Sequence, residues 1–163
     1  RARFAPGRGE ASQSRRRACA ILRLMSSIAD LEGTKWKGSC ELWLDPLGNE
    51  AIRSDCTMRI EGGAVHYTWS HEGKAHEGRL TPRDEEVEFV DTWHQPEPMK
   101  CRRLRDVGGI FQALGAYGPE ADWGWRTALC LRTPTGELVL QMTNITPWGE
   151  EGRAVRMSCT RED

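Results

Sequence analysis

Along most of this chain apolar and polar residues alternate, and clusters of turn residues break the alternation at short intervals. Alternation with a period of two predicts strands, because successive strand side chains point to opposite faces. The predicted strands are Trp36–Asp45, Ala51–Glu61, Ala64–His71, His76–Pro82, Val87–His94, Met99–Arg105, Ile110–Tyr117, Trp123–Arg132, Glu137–Asn144 and Arg153–Thr160. Between them lie PLGN, GG, EGKA, RDEE, QPEP, DVGG, GPEAD, TPTG and ITPWGEEG. Ten strands so spaced, with no helix-length segment among them, predict an all-β sandwich or barrel and exclude βαβ crossovers. One short helix is expected first, at Ser26–Glu32, ended by Gly33.

The turns also predict register. A two-residue turn at Gly62-Gly63 pairs Glu61 with Ala64, Ile60 with Val65, Met58 with Tyr67, Cys56 with Trp69 and Ser54 with His71. A four-residue loop at Glu72–Ala75 pairs His71 with His76, Trp69 with Gly78 and Tyr67 with Leu80. A four-residue loop at Arg83–Glu86 pairs Pro82 with Val87, Leu80 with Phe89, Gly78 with Asp91 and His76 with Trp93. One face then collects Ile60, Met58, Val65, Leu80, Val87 and Phe89 and is the inner one. The other carries Arg53, Asp55, Arg59, Glu77, Arg79 and Glu88. In later strands Trp125, Thr127, Leu129 and Leu131 share a face, as do Leu138, Leu140, Met142 and Asn144, and Val155, Met157 and Cys159. The inward faces of 99–105 and 110–117 stay open. A meander of about ten antiparallel strands closes most simply into an up-and-down barrel, which leaves no free edge. A two-sheet sandwich is the alternative.

Composition divides the chain in two. Residues 1–24 carry seven Arg and one acid, Glu10, whereas residues 25–163 carry a net charge of −7. The leader is expected to be disordered, with Met25 as the start of a single domain spanning 25–163. The simplest account of it is a read-through or cloning artefact, and the second an organelle transit segment, rich in Arg and poor in acids. An acidic domain argues against nucleic acid as a partner, and no apolar run reaches the roughly 18 residues that cross a bilayer. Lys100, Arg102, Arg103, Arg126 and Arg132 read as an outward charged face. Six cysteines without a CxxC pair or a secretory signal read as reduced, mostly buried residues of a cytoplasmic protein.

Seven tryptophans against three phenylalanines suit an interior with polar content, since each buried indole N–H wants a partner. The register gathers Tyr67, Trp69, His71, His76, Asp91 and Trp93 on the inner face, and Trp125 joins them as a candidate ligand-binding residue. A buried Asp91 needs a partner: His76, an Arg on a neighbouring strand, or a ligand. The functional reading is a pocket whose aromatic walls hold an apolar body while Asp and His bind its polar end. The plain alternative is a barrel mouth where His71 and His76 face water. A metal on His71, His76 and Asp91 is a further reading, weakened by the two histidines flanking a hairpin loop. So is acid/base catalysis by Asp91 with His71 or His76, although no nucleophile motif accompanies them. Pairing Leu44 with Ile52 sets Cys40 opposite Cys56. A redox or soft-metal role would follow only if Cys159 joined them, and separate small core residues are the simpler account.

The Trp36-Lys37-Gly38 opening after a short helix resembles the calycin superfamily of lipocalins, fatty-acid-binding proteins and nitrobindin-like barrels. TWHQPEPMKCRRL, DWGWR and LVLQMTNITPWGEEGRAVRM resemble an uncharacterised, mostly bacterial domain family of that fold, over about residues 25–163. The resemblance implies a calycin-like barrel with an interior guest. It departs from the known guests' machinery. Two residues separate Gly33 from Trp36, where lipocalins have Gly-x-Trp. PLGN leaves no room for the helical lid of fatty-acid-binding proteins. No histidine follows His94, so the C-terminal haem ligand of nitrobindin-like barrels is missing and haem is disfavoured. The expectation is a monomeric or homodimeric module that binds a small amphipathic molecule, without catalytic residues, metal or cofactor. An acid/base enzyme and a filled barrel serving as an interaction module are the alternatives.

Overall fold

The computed structural model describes residues 27–45, 49–105 and 108–163. The Arg-rich leader and Cys19 lie outside the described residues. Ten antiparallel strands close into one barrel in chain order. They are β1 (Lys35–Trp43), β2 (Ala51–Glu61), β3 (Ala64–His71), β4 (Lys74–Pro82), β5 (Glu86–Asp91), β6 (Gln95–Leu104), β7 (Phe111–Tyr117), β8 (Trp123–Arg132), β9 (Glu137–Ile145) and β10 (Glu151–Arg161). Closure comes from β1 pairing β10, with Trp36 opposite Arg161 and Leu42 opposite Val155. The barrel is thus the observed architecture and the sandwich is not. Where a helix was expected, Ile28–Leu31 forms a single 3-10 turn. Ser27 and Asp30 cap it reciprocally: Ser27 Oγ accepts from the Asp30 N–H, and the Asp30 carboxylate accepts from the Ser27 N–H.

Two of the register expectations hold over the observed ladders, which stop short of the expected pairs Cys56–Trp69, Ser54–His71 and His76–Trp93. Glu61 faces Ala64 and Met58 faces Tyr67 across Gly62-Gly63, and Pro82 faces Val87 and Gly78 faces Asp91 across β4 and β5. The other two hairpins are corrected. His71 pairs with Lys74, not His76, because Glu72-Gly73 turns the chain in two residues. Glu72 and Gly73 both take positive φ, 50° and 74°, as a two-residue type I′ turn requires. Trp69 therefore faces His76, and Tyr67 faces Gly78. Leu42, not Leu44, faces Ile52, so Cys40 meets Ser54 rather than Cys56. Both errors move one strand by two residues, which preserves the faces.

Three inward glycines let side chains cross a strand. Gly78 on β4 lies between Tyr67 and Asp91, and a Cβ there would stand 2.0 Å from the Tyr67 ring. Gly38 on β1 lies between Cys56 and Cys159, whose sulfurs approach to 3.4 Å. Gly115 on β7 is covered by Met99 and Cys101, which answers the open question about β6 and β7: Met99, Cys101, Phe111, Ala113 and Gly115 face inward. The rest of the barrel is filled by Met58, Ile60, Val65, Leu80, Val87, Phe89, Leu129, Leu138, Leu140, Met142 and Met157, all nearly inaccessible.

The two ends of the barrel differ. At one end Leu31 packs over the core, and the Trp36 indole donates to Thr34 Oγ1 at 2.8 Å. The turns 72–73, 92–94, 118–122 and 146–150, with the end of β1 and the start of β2, lie at the other end. Six of the seven tryptophans sit there, in or beside those turns: Trp43, Trp69, Trp93, Trp123, Trp125 and Trp148. So do three of the four histidines, His71, His76 and His94. The exposed large apolar residues belong to this rim too: Leu44 (55%), Ile52 (42%), Trp93 (40%) and Trp148 (69%). Among the described residues no helix is long and apolar enough to cross a membrane.

Candidate functional site

Asp91 ends β5 and is 1% exposed, yet it is not unpaired. Its Oδ2 accepts from Tyr67 Oη at 2.8 Å and from Trp69 Nε1 at 3.3 Å. Its Oδ1 accepts from the backbone N–H groups of Trp93 and His94, both at 2.9 Å, and from His94 Nδ1 at 3.1 Å. The two backbone bonds are an Asx turn, in which a side chain holds the backbone two and three residues on. Burial pulls the carboxyl upward. The His94 ring, by hydrogen bond and by charge, and then the backbone N–H groups outweigh it and leave Asp91 below the ordinary aspartate value. Burial, and next the Asp91 charge, push the Tyr67 phenol well above its usual range. Tyr67 therefore stays a donor and Asp91 stays an ionised acceptor.

The expected partners of Asp91 are corrected by this geometry. Neither His76 nor His71 nor an arginine bonds it, and His94 does. The sequence-based strand Val87–His94 put His94 on the outer face. In the structure β5 stops at Asp91, and the turn at 92–94 brings His94 back against it. His76 instead packs against Trp69 in a tilted pair, 4.7 Å between centroids. Trp93 meets Trp69 edge-on at 5.3 Å and His71 at 5.5 Å. Tyr67, Trp69, His71, His76, Asp91 and Trp93 are thus assembled together, but as a packed cluster. His71, His76 and Asp91 do not form a metal-ligand set, and among the described residues no group of three His, Cys, Asp or Glu does.

Open space lies next to this cluster. A cavity of about 160 Å³ is lined by Phe89, His94, Gln95, Met99, Tyr117, Trp125 and Asn144. Its cause is in β6. Pairing of β6 with β7 covers only Arg102, Arg103 and Leu104, opposite Leu114, Ala113 and Gln112. The first half of β6 contains Pro96 and Pro98, which have no N–H to donate to a ladder. The sequence reading took QPEP for a turn. It is strand with its ladder to β7 missing, and the cavity opens beside it.

Trp125 supplies the aromatic wall. Its ring lies 5.4 Å from His94, 5.9 Å from Phe89 and 6.1 Å from Tyr117. Its indole Nε1 is buried without a hydrogen-bond partner among the described residues. Such a group ordinarily costs about 1–3 kcal/mol. Tyr117 Oη donates to Asn144 Oδ1 at 2.8 Å, which leaves the Asn144 amide N–H groups for another acceptor. Asp91 holds His94 by Nδ1, so His94 Nε2 has no partner among the described residues. That nitrogen accepts in the neutral ring and donates in the protonated one. The sequence singled out Trp125 and missed His94, Tyr117 and Asn144. The signal for His94 was the Asp-x-x-His spacing at a strand end, where an Asx turn reverses the chain. No protein-family model matches this chain, and no curated protein matches it either.

Proposed function

We propose that this calycin-like barrel binds a small single-ring molecule bearing a hydroxyl or carbonyl group, at its tryptophan-rich mouth. The unpartnered Trp125 N–H, buried in the wall of the cavity, carries this reading. Size supports it, because an apolar cavity of about 150 Å³ accommodates benzene. Phe89, Met99 and Trp125 line the cavity with apolar surface, and Trp125, His94 and Asn144 carry the polar groups that a guest's oxygen would meet. The exposed rim of Leu44, Ile52, Trp93 and Trp148 gives an amphipathic molecule a first landing surface. Titration calorimetry with phenol, benzyl alcohol and cyclohexanone tests it. Saturable binding that weakens about tenfold or more in His94→Ala supports the reading. Absence of binding by all three, or equal binding by His94→Ala, contradicts it.

The Asp91–His94 pair favours a second reading, in which His94 acts as a general base on a bound carbonyl compound. Nε2 would take a proton from the carbon beside the carbonyl and return it, while Asp91 keeps the ring oriented. Deuterium entry at the α-carbons of cyclohexanone in D₂O, catalysed by the protein and lost in His94→Ala, distinguishes catalysis from binding alone.

A further inference from the structure

The outer wall of the barrel holds a separate cleft of about 370 Å³ beside the seam of β1 and β10. It exists because the seam splays. Pairing of β1 with β10 ends at Leu42 and Val155, although β1 continues to Trp43. On its other side, β10 changes register against β9 between Arg153 and Val155. Ala154 is the extra residue of this β-bulge. Without a bulge, residues three apart in a strand face opposite ways. Here Ala154 and Val155 are both buried, and Arg153 and Arg156 both line the cleft. The bulge has turned two arginines to one side.

Among the described residues neither arginine forms an ion pair with an acid. Arg153 lies over the Trp43 ring at 5.7 Å. Arg156 makes no hydrogen bond or ion pair among the described residues, and its Nε is buried without a partner. Glu41, directly opposite Arg156, is taken by Arg53 at 3.0 Å. Gln141 flanks Arg156 from β9, and the backbone of Met142 and Val155, whose side chains point into the barrel, underlies the cleft. Two guanidinium groups that make no ion pair among the described residues, beside the Trp43 indole, suit an anion with an organic body. The volume falls within the range of about 300–1,000 Å³ common for small-molecule sites.

We infer that this cleft is a second binding site, for a small organic anion whose carboxylate or phosphate group sits against Arg156 and Arg153. It is independent of the mouth cavity. The test is a ¹H–¹⁵N NMR titration of the full chain with benzoate and, separately, inorganic phosphate, at constant ionic strength. Saturable shifts at the amides of 153–156 and at the Trp43 indole are expected with at least one probe. A response to benzoate alone assigns a carboxylate, and a response to phosphate alone a phosphate group. Binding should weaken about tenfold or more in Arg156→Gln, and also in Arg156→Lys, which keeps the charge but loses the Nε donor. Arg79→Gln, on the outer face of β4, and His94→Ala should leave it unchanged. Shifts that rise linearly with probe, or equal affinity in Arg156→Gln and Arg153→Gln as in the parent, overturn the proposal.

Discussion

Tyr67 Oη donates to Asp91 Oδ2 at 2.8 Å although a whole strand, β4, separates their own strands. Gly78 is what allows it. The Tyr67 ring lies where any larger residue would put its Cβ, at 2.0 Å. Gly78→Ala should thus lose both good packing and the buried bond, a destabilisation of about 3 kcal/mol. Tyr67→Phe, which removes only the donor, should cost about 1–2 kcal/mol. Urea unfolding of the two variants measures both. Equal stability of Gly78→Ala and the parent would mean that the ring is not held there.

The pH dependence of stability follows from the same network. Asp91 is held below its unfolded value of about 3.9, so its contribution is present above that pH and is lost as pH falls through the folded value. Tyr67 is raised, so its contribution is present below about pH 10 and is lost as pH climbs further. Asp91→Asn should flatten the acid limb of the stability curve. It should also cost about 3 kcal/mol at neutral pH, since an amide cannot accept from all five surrounding donors. An unchanged acid limb in Asp91→Asn would contradict the assignment.

Thr127 provides a contrasting case. Its Oγ1 is buried on the inner face of β8 with no partner among the described residues. Thr127→Val replaces that hydroxyl with a methyl of the same shape and should leave stability unchanged or raise it by about 1 kcal/mol. A clear loss in thermal or urea unfolding would show that the hydroxyl is bonded.

Cys40, Cys56 and Cys101 should be slow to react while the chain is folded. Burial pushes Cys40 up to about 12 and Cys101 to about 11. Cys56 is raised further, first by its hydrogen bond to Cys159 and then by burial. Iodoacetamide at pH 8 should modify half-buried Cys130 before Cys40, Cys56 and Cys101, as read by peptide mass spectrometry. Early modification of Cys56 would contradict its packing under Gly38.

The barrel was legible because its evidence is local. Gly62-Gly63 and Arg83–Glu86 fixed two hairpins correctly, and alternation fixed the faces. Glu72-Gly73 was misjudged because Glu is an unusual residue at positive φ. The error left Trp69, His76 and Asp91 on one face because a two-residue slip changes neighbours and not sides. The site was legible only in part. Tyr67, Trp69, Asp91 and Trp125 came from alternation. His94 did not, because alternation carries no information past the end of a strand. The sulfur contact of Cys56 with Cys159 was also hidden, since it joins β2 and β10 across β1, at the level of Gly38, and depends on how the barrel closes.

The Trp125 indole N–H resonance tests the central claim most directly. On addition of phenol to the ¹⁵N-labelled chain, it should move downfield and saturate as the N–H gains an acceptor. The Trp36 indole, already bonded to Thr34 at the far end of the barrel, should stay in place. A Trp125 resonance that does not move with phenol, benzyl alcohol or cyclohexanone would contradict the mouth cavity as a binding site.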